Sequence, residues 1–366
     1  MTFIYIISYL ISAALAVCVI LFTLSIAYKY SLFDTEEERK IHKGRIPRLG
    51  GVAIYLSSLV TVTLVWFVAR VTDHIDMSLF RTHDDDVAPV LCGATILFAF
   101  GLYDDLKGLR YRTKFLAQIA AGLLLCFSGT WLNHLYGLFG MNFELPMWAG
   151  YVLTIFAILL ITNAINFIDG IDGLASGLCA ICLITHAIVS LCCGEYWFAL
   201  ISIVMLGAVS AFMSFNIFGK QEKHKKLFMG DTGSLVLGFM LGYIGIALNS
   251  SQSVVETGVT PFVLVFSPLL VPCFDVVRVV FVRLYQHRSP FLADKSHVHH
   301  MLLEIFDQNQ RKTLLVMLSL SVLMIVSSFF LSLHFNINLV FSCELILWIL
   351  IMMIISRKLK IKRYKK

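Results

Sequence analysis

Along this chain apolar residues come in long unbroken blocks, and the polar residues crowd into the gaps between them. Eleven blocks stand out, at 3–27, 51–69, 88–103, 115–132, 147–166, 176–193, 197–217, 233–249, 260–282, 313–333 and 336–356. They are continuously apolar and lack the alternation that marks half-buried strands. A helix needs about 20 mostly apolar residues to cross a bilayer's hydrocarbon core. Only helices and closed barrels leave no backbone group unpaired there. The pattern predicts an all-α polytopic membrane protein, one domain of about eleven transmembrane helices. The block at 88–103 is the shortest of them. The first block has neither a basic start nor a small-residue cleavage site, so it reads as a retained helix and not a removed signal peptide. Pro261, Pro268 and Pro272 predict a kinked helix in the ninth block.

Composition agrees. Of 366 residues, 58% are hydrophobic and 14% charged, against roughly 25% charged in a soluble domain. Charge also sets the sidedness. With the tail RKLKIKRYKK placed inside, the inner loops are 28–50, 104–114, 167–175, 218–232 and 283–312, and they are strongly basic. On the other side lie only Arg70 and Arg81, beside the acidic run Asp84–Asp86. This is the asymmetry of the positive-inside rule. It predicts an N-terminus outside and a cytoplasmic C-terminus. The net charge of +6 then needs no nucleic-acid partner, because basic residues at the inner surface are attracted to anionic lipid. All nine Cys lie in or beside apolar blocks. Cys179 and Cys182 form a CxxC with no second pair, and the set reads as small buried hydrophobes.

The inner loops hold the chemistry. They read RKIHKGRIPRLGG (39–51), GLYDDLKGLRYRTK (101–114), NAINFIDGIDGLASG (163–177), KKLFMGDTGS (225–234) and RLYQHRSPFLADKSHVHH (283–300). The outer loops carry nothing comparable. A cation- or proton-coupled transporter would place ionisable groups near the midplane, yet the middles of most blocks are clean. One-sided crowding suits an enzyme at the inner interface, with one substrate in water and the other in lipid.

Asp104 and Asp105 are costly at a membrane boundary unless paired, solvated or metal-bound. They read as a helix cap or as carboxylates that bind a cation or take a proton. Asn163, Asn166, Asp169 and Asp172 recur every three residues, a polar stripe on a helix, with Gly170 and Gly173 allowing close backbone approach. Such oxygens are hard ligands that suit Mg²⁺. An Asx-rich turn would explain part of the stretch. Asp231 lies between Gly230 and Gly233 at the start of the eighth block, where Thr232 or Ser234 could cap the helix and its free amides hold an anion. His297, His299 and His300, near Arg283, His287 and Arg288, read as donors to phosphate or sugar. A zinc site would need further ligands in defined positions. Lys40, His42, Lys43, Arg45 and Arg48 are mostly ordinary inner-surface charge. Asp275 and Arg278 read as an intrahelical ion pair. His186, His334 and Glu344 read as packed or interfacial.

Taken together and in this order, the five inner stretches resemble the polyprenyl-phosphate N-acetylhexosamine-1-phosphate transferases, a match running from about residue 39 to 300. The His-x-His-His pattern is similar to the branch using UDP-N-acetylglucosamine. The related pentapeptide translocases show three consecutive His. The resemblance implies transfer of a sugar 1-phosphate from a UDP-sugar to polyprenyl (undecaprenyl) phosphate in the cytoplasmic (inner) membrane, with release of UMP. Mg²⁺ is the implied cofactor, with Mn²⁺ as a substitute, and a homodimer is an open oligomeric state. Alternative donors are another UDP-N-acetylhexosamine or the muramyl-pentapeptide nucleotide. By the family's motifs, Asp104 and Asp105 are the catalytic carboxylates. Asp231 and Asn166 are metal ligands, and Asn163, Asp169 and Asp172 lie at the nucleotide. Lys114, Arg283, Arg288, His297, His299 and His300 contact phosphates and sugar. Lys40 and His42 are placed at the lipid phosphate.

Overall fold

The computed structural model describes residues 2–33, 46–71, 84–289 and 296–364, and all its long elements are helices. In order they are α1 (Thr2–Lys29), α2 (Gly50–Val71), α3 (Asp84–Lys107), α4 (Tyr111–Phe127), α5 (Met147–Ile168), α6 (Leu174–Cys192) and α7 (Tyr196–Phe218). There follow α8 (Gly230–Asn249), α9 (Gln252–Val255), α10 (Pro261–Phe266), α11 (Leu270–Tyr285), α12 (Val298–Ile305), α13 (Gln310–Ser332) and α14 (Ile337–Tyr364). Lys40 and His42 lie outside the described residues.

Among the described residues ten helices are long and apolar enough to cross a membrane, with α10 and α11 forming one of them. The expected eleventh is α4. It has 17 residues, short of the usual length, and runs 111–127 instead of 115–132. Ser128 caps it and Gly129 turns away at φ 94°, a conformation glycine adopts without strain. Bonds at its first turn and just past its last nevertheless tie it to α8 and α5. Lys114 in its first turn bonds Asp231 at the start of α8. Past its last turn, the Leu132 N–H donates to Thr154 of α5 at 2.8 Å. So α4 links the same two faces as α5.

Successive membrane spans reverse direction along the first eight helices, as the bonds between their ends require. The C-terminal ends of α3 and α5 and the N-terminal ends of α4 and α8 therefore meet on one face. Tyr28, at the end of α1, packs on His224 of the α7–α8 loop at 4.1 Å. Lys362, near the end of α14, reaches Asp307 at 2.5 Å on the same face.

Helix α8 is the axis of the bundle, buried along nearly its whole length. Small residues let its neighbours close on it, the usual basis of helix association in lipid. A β-carbon on Gly238 would lie 2.6 Å from the Thr162 α-carbon of α5. The expected kink falls at Ser267–Leu269, a short 3₁₀ turn around Pro268 between α10 and α11. His186 of α6, read as a packed histidine, lies with Nε2 2.9 Å from the Val265 carbonyl just before the break. That contact supplies a partner where the broken helix loses one. Glu344 is also packed, accepting from the Ser327 hydroxyl at 2.7 Å. The last helix, α14, continues through most of the basic tail to Tyr364.

Candidate active site

The site begins with the backbone of two loops. The Gly50 N–H donates to the Phe228 carbonyl and the Gly51 N–H to the Met229 carbonyl, each at 2.9 Å; the Phe228 N–H donates to Pro47 at 2.9 Å. The stretch IPRLGG is thus a cradle for FMGDTGS, and its glycines admit the second backbone. A β-carbon on Gly51 would overlap the backbone of Gly233, and one on Gly101 of α3 would lie 2.6 Å from the Thr232 α-carbon. Gly230 turns at φ 74° and delivers the chain into α8. Gly51→Ala is expected to cost at least about 3 kcal/mol, because backbone cannot give way as a side chain can. Thermal unfolding in detergent, together with the yield of folded protein, measures this.

Four helices bring acidic, amide and ammonium side chains onto this cradle. Lys114 of α4 forms ion pairs with Asp104 of α3 and with Asp231 Oδ2 of α8, the latter at 2.5 Å. Asn166 of α5 donates to Asp231 Oδ1 and, at 2.8 Å, to the Ser234 hydroxyl. Asp105 accepts from the N–H groups of Asp231 and Thr232 at 2.7 and 2.9 Å and from the Thr232 hydroxyl at 2.5 Å. The four residues expected to gather from separate inner loops, Asp104, Asp105, Asn166 and Asp231, form one network with Lys114.

The remaining predicted residues divide. Asn163 points into α4, donating to Gln118 Oε1 at 2.8 Å and to the Leu159 carbonyl at 2.7 Å, so it pins α4 to α5. Asp172 is ion-paired at 2.5 Å with the buried Lys226, which also donates to the Asn216 carbonyl. Asn216 in turn accepts from the Gly173 N–H at 2.6 Å and donates to the Leu227 carbonyl at 2.9 Å. These bonds lock the 169–173 turn to the loop that leads into α8. Asp169 is reachable by water but recessed among protein atoms. The protein atoms crowded around its carboxyl, with the nearby Asp231 carboxylate, push it up to about 7. The folded chain then holds a proton on Asp169 that the unfolded chain releases above its ordinary value of 3.8. Its contribution to stability is present below that value and is lost as pH rises through about 7. The melting temperature of the ligand-free protein should fall between pH 4 and pH 7, and Asp169→Asn should flatten part of that slope.

The histidines sit beside this turn. His297 Nδ1 lies 2.8 Å from Asp275 Oδ2, and the Val298 N–H donates to Asp275 Oδ1 at 3.2 Å. Asp275 keeps its expected ion pair with Arg278 at 2.7 Å, and Arg278 donates to the Ser296 carbonyl at 2.6 Å. Asp275 is therefore the anchor of the histidine loop, and α12 begins on it. The His297 ring stands 5.7 Å from the Phe167 ring of α5. His299 is fully buried, and a β-carbon on Gly170 would overlap its Nε2. Among the described residues, neither ring nitrogen of His299 has a hydrogen-bond partner. Burial and the flanking His300 and His297 hold its pKa well below the ordinary value, so the ring is neutral. Arg283 is buried at the end of α11 and Arg288 is exposed. The far end of α12 is held by the tail: Lys362 donates to the Ile305 carbonyl at 2.8 Å, and Arg363 grips both oxygens of Glu304 at 2.8 Å.

A cation site fits the carboxylates. Asp104 and Asp231 share one ammonium group, that of Lys114, so the fold already places positive charge between them. Among the described residues no three His, Cys, Asp or Glu converge on a point. Two carboxylates and an amide instead match Mg²⁺, which takes one or two protein carboxylates and fills its shell with water and substrate phosphate.

Residues 87–249, which span α3 to α8 and most of this network, match the model of glycosyl transferase family 4. The chain is 32% identical to the decaprenyl-phosphate N-acetylglucosaminephosphotransferase of Mycolicibacterium smegmatis, over 80% of this chain and 74% of the relative. This chain belongs to that family of membrane sugar-phosphate transferases. A probable undecaprenyl-phosphate N-acetylglucosaminyl 1-phosphate transferase of Bacillus subtilis is 31% identical over 80% of this chain and 75% of its own length. The undecaprenyl-phosphate alpha-N-acetylglucosaminyl 1-phosphate transferase of Escherichia coli K12 is 27% identical over 82% and 77%. As a family member, the chain is a transferase, and the candidate site lies at one face of its multi-pass bundle.

Proposed function

We propose that this transferase moves N-acetylglucosamine 1-phosphate from UDP-N-acetylglucosamine to undecaprenyl phosphate or a similar polyprenyl phosphate, in a Mg²⁺-dependent reaction at the cytoplasmic membrane. The observation that carries the reading is the pair of carboxylates, Asp104 and Asp231, facing each other across one ammonium at the end of a lipid-spanning bundle. A diphosphate meeting a phosphate brings like charges together, and phosphoryl transfer is catalysed mainly by positioning and charge neutralisation. The basic inner loops favour the cytoplasmic side for this face.

In the proposed reaction an oxygen of the lipid phosphate attacks the β-phosphorus of the UDP-sugar. The bond from that phosphorus to the UMP oxygen breaks, and UMP leaves with the electron pair. A phosphate's second pKa is about 6, so the nucleophile is mostly ionised near neutral pH. The Asp104–Asp105 pair supplies a carboxylate for any remaining proton. Asp231, with Asp104 and Asn166, would hold the divalent ion, which supplies further neutralisation of the diphosphate. Lys114 turns from the carboxylates toward the phosphates. The turn at 169–173 faces the nucleotide, and the histidine loop that packs on Gly170 donates hydrogen bonds to sugar or phosphate.

Membranes containing the chain, given undecaprenyl phosphate, Mg²⁺ and a panel of radiolabelled UDP-sugars, test the donor. Label should enter lipid with UDP-N-acetylglucosamine. Labelling by another sugar alone would reassign the donor, and no labelling with any sugar would reject the reading.

A further inference from the structure

The fold divides the Asp104–Asp105 pair. Asp104 accepts from the Leu109 N–H with Oδ1 and turns Oδ2 to Lys114 and the site. Asp105 turns the other way, and both its oxygens are taken by the first residues of α8. Oδ1 accepts from the Asp231 N–H at 2.7 Å, while Oδ2 accepts from the Thr232 N–H at 2.9 Å and the Thr232 hydroxyl at 2.5 Å. These amides open a helix and have no acceptor within it. The residue at the N-cap position, Met229, offers no side-chain bond. A carboxylate there also sits at the positive end of the helix dipole. Gly101, one turn earlier on α3, brings the two backbones into contact: a β-carbon on it would lie 2.6 Å from the Thr232 α-carbon.

We infer that Asp105 is a positioning residue, a cap supplied to α8 from another helix, and that Asp104 alone of the pair faces the chemistry. Resting on the transferase reading above, this assigns Asp105 the task of aiming the Asp231 carboxylate. A proton acceptor needs a lone pair directed at the incoming phosphate, and the oxygens of Asp105 are directed at α8. With the cap removed, the first turn of α8 keeps unpaired amides, and Asp231 is no longer held toward Lys114 and Asn166.

The test compares wild type, Asp105→Asn and Thr232→Val, purified in detergent, by Mn²⁺ titration in electron paramagnetic resonance and by transfer rates against Mg²⁺ and pH. Removing a residue that orients a ligand costs about 10- to 100-fold in metal affinity. Asp105→Asn should weaken Mn²⁺ binding by about that factor, regain most of its lost kcat at high Mg²⁺, and keep the limbs of the wild-type pH–rate profile. Thr232→Val removes no ionisable group and should shift Mn²⁺ binding the same way by a smaller factor. It serves if Asp105→Asn fails to fold. Wild-type Mn²⁺ affinity in either variant, or an Asp105→Asn profile that loses its acid limb, overturns the inference. Wild-type protein that binds no Mn²⁺ overturns it as well. Failure of the transferase reading is separate: wild type would bind Mn²⁺ and label no lipid with any donor.

Discussion

Asp231→Asn is expected to lower kcat by at least about 10³-fold, the order lost when a group that stabilises transition-state charge is removed. Asp231 is the meeting point of the network: Lys114 and Asn166 bond its two oxygens, and its own N–H is held by Asp105. The asparagine keeps the shape and one oxygen, so the helix and cradle persist while the anionic ligand is lost. Transfer assays at rising Mg²⁺ read the change. Near-wild-type activity with ordinary Mg²⁺ dependence would remove Asp231 from the metal site.

Lys114→Met removes the cation between Asp104 and Asp231. Breaking a buried ion pair leaves the partner charge uncompensated, at about 3–5 kcal/mol. The Lys114 side chain is 24% exposed, so solvent screening brings the expected loss nearer about 2–3 kcal/mol. Added Mg²⁺ should restore part of it, because the two carboxylates then share the ion alone. Activity should nevertheless fall about 10²–10³-fold, since no ammonium remains to meet the phosphates. Unfolding scans with Mg²⁺ and with chelator, beside the transfer assay, separate the two effects. A variant as stable and active as wild type would mean the ammonium has no part in the site.

Much of this arrangement is legible in the sequence, for reasons that differ by residue. Unbroken apolar blocks declare their helices because lipid tolerates only helices and closed barrels and these blocks lack a barrel strand's alternation, and the ends of those blocks fix which polar residues share a face. Asp104, Asn166 and Asp231 follow from that alone. What a polar residue touches there is another matter. Asp172 beside Gly173 looks the same whether its partner is a nucleotide or Lys226, 54 positions on. Asn163 and Asn166 stand one helical turn apart, yet one pins α4 through Gln118 and the other reaches Asp231. Gly51 and Gly101 look like ordinary membrane glycines until a second backbone lies against them. Asp275 and Arg278 show their mutual pairing by spacing, but the histidine loop that docks on Asp275 comes from 22 residues away. Helix α4 falls where the order of blocks predicts, but it stops short of its apolar run because Trp131 and Leu132 continue that run past Gly129.

The most direct test of the central claim is ³¹P nuclear magnetic resonance on purified chain mixed with undecaprenyl phosphate and UDP-N-acetylglucosamine, once with Mg²⁺ and once with chelator. With Mg²⁺ the lipid monophosphate signal should be replaced by a lipid diphosphate and by UMP in equal amounts, and the chelated sample should stay unchanged. Release of UDP in place of UMP, or the same conversion in chelator, would contradict the account.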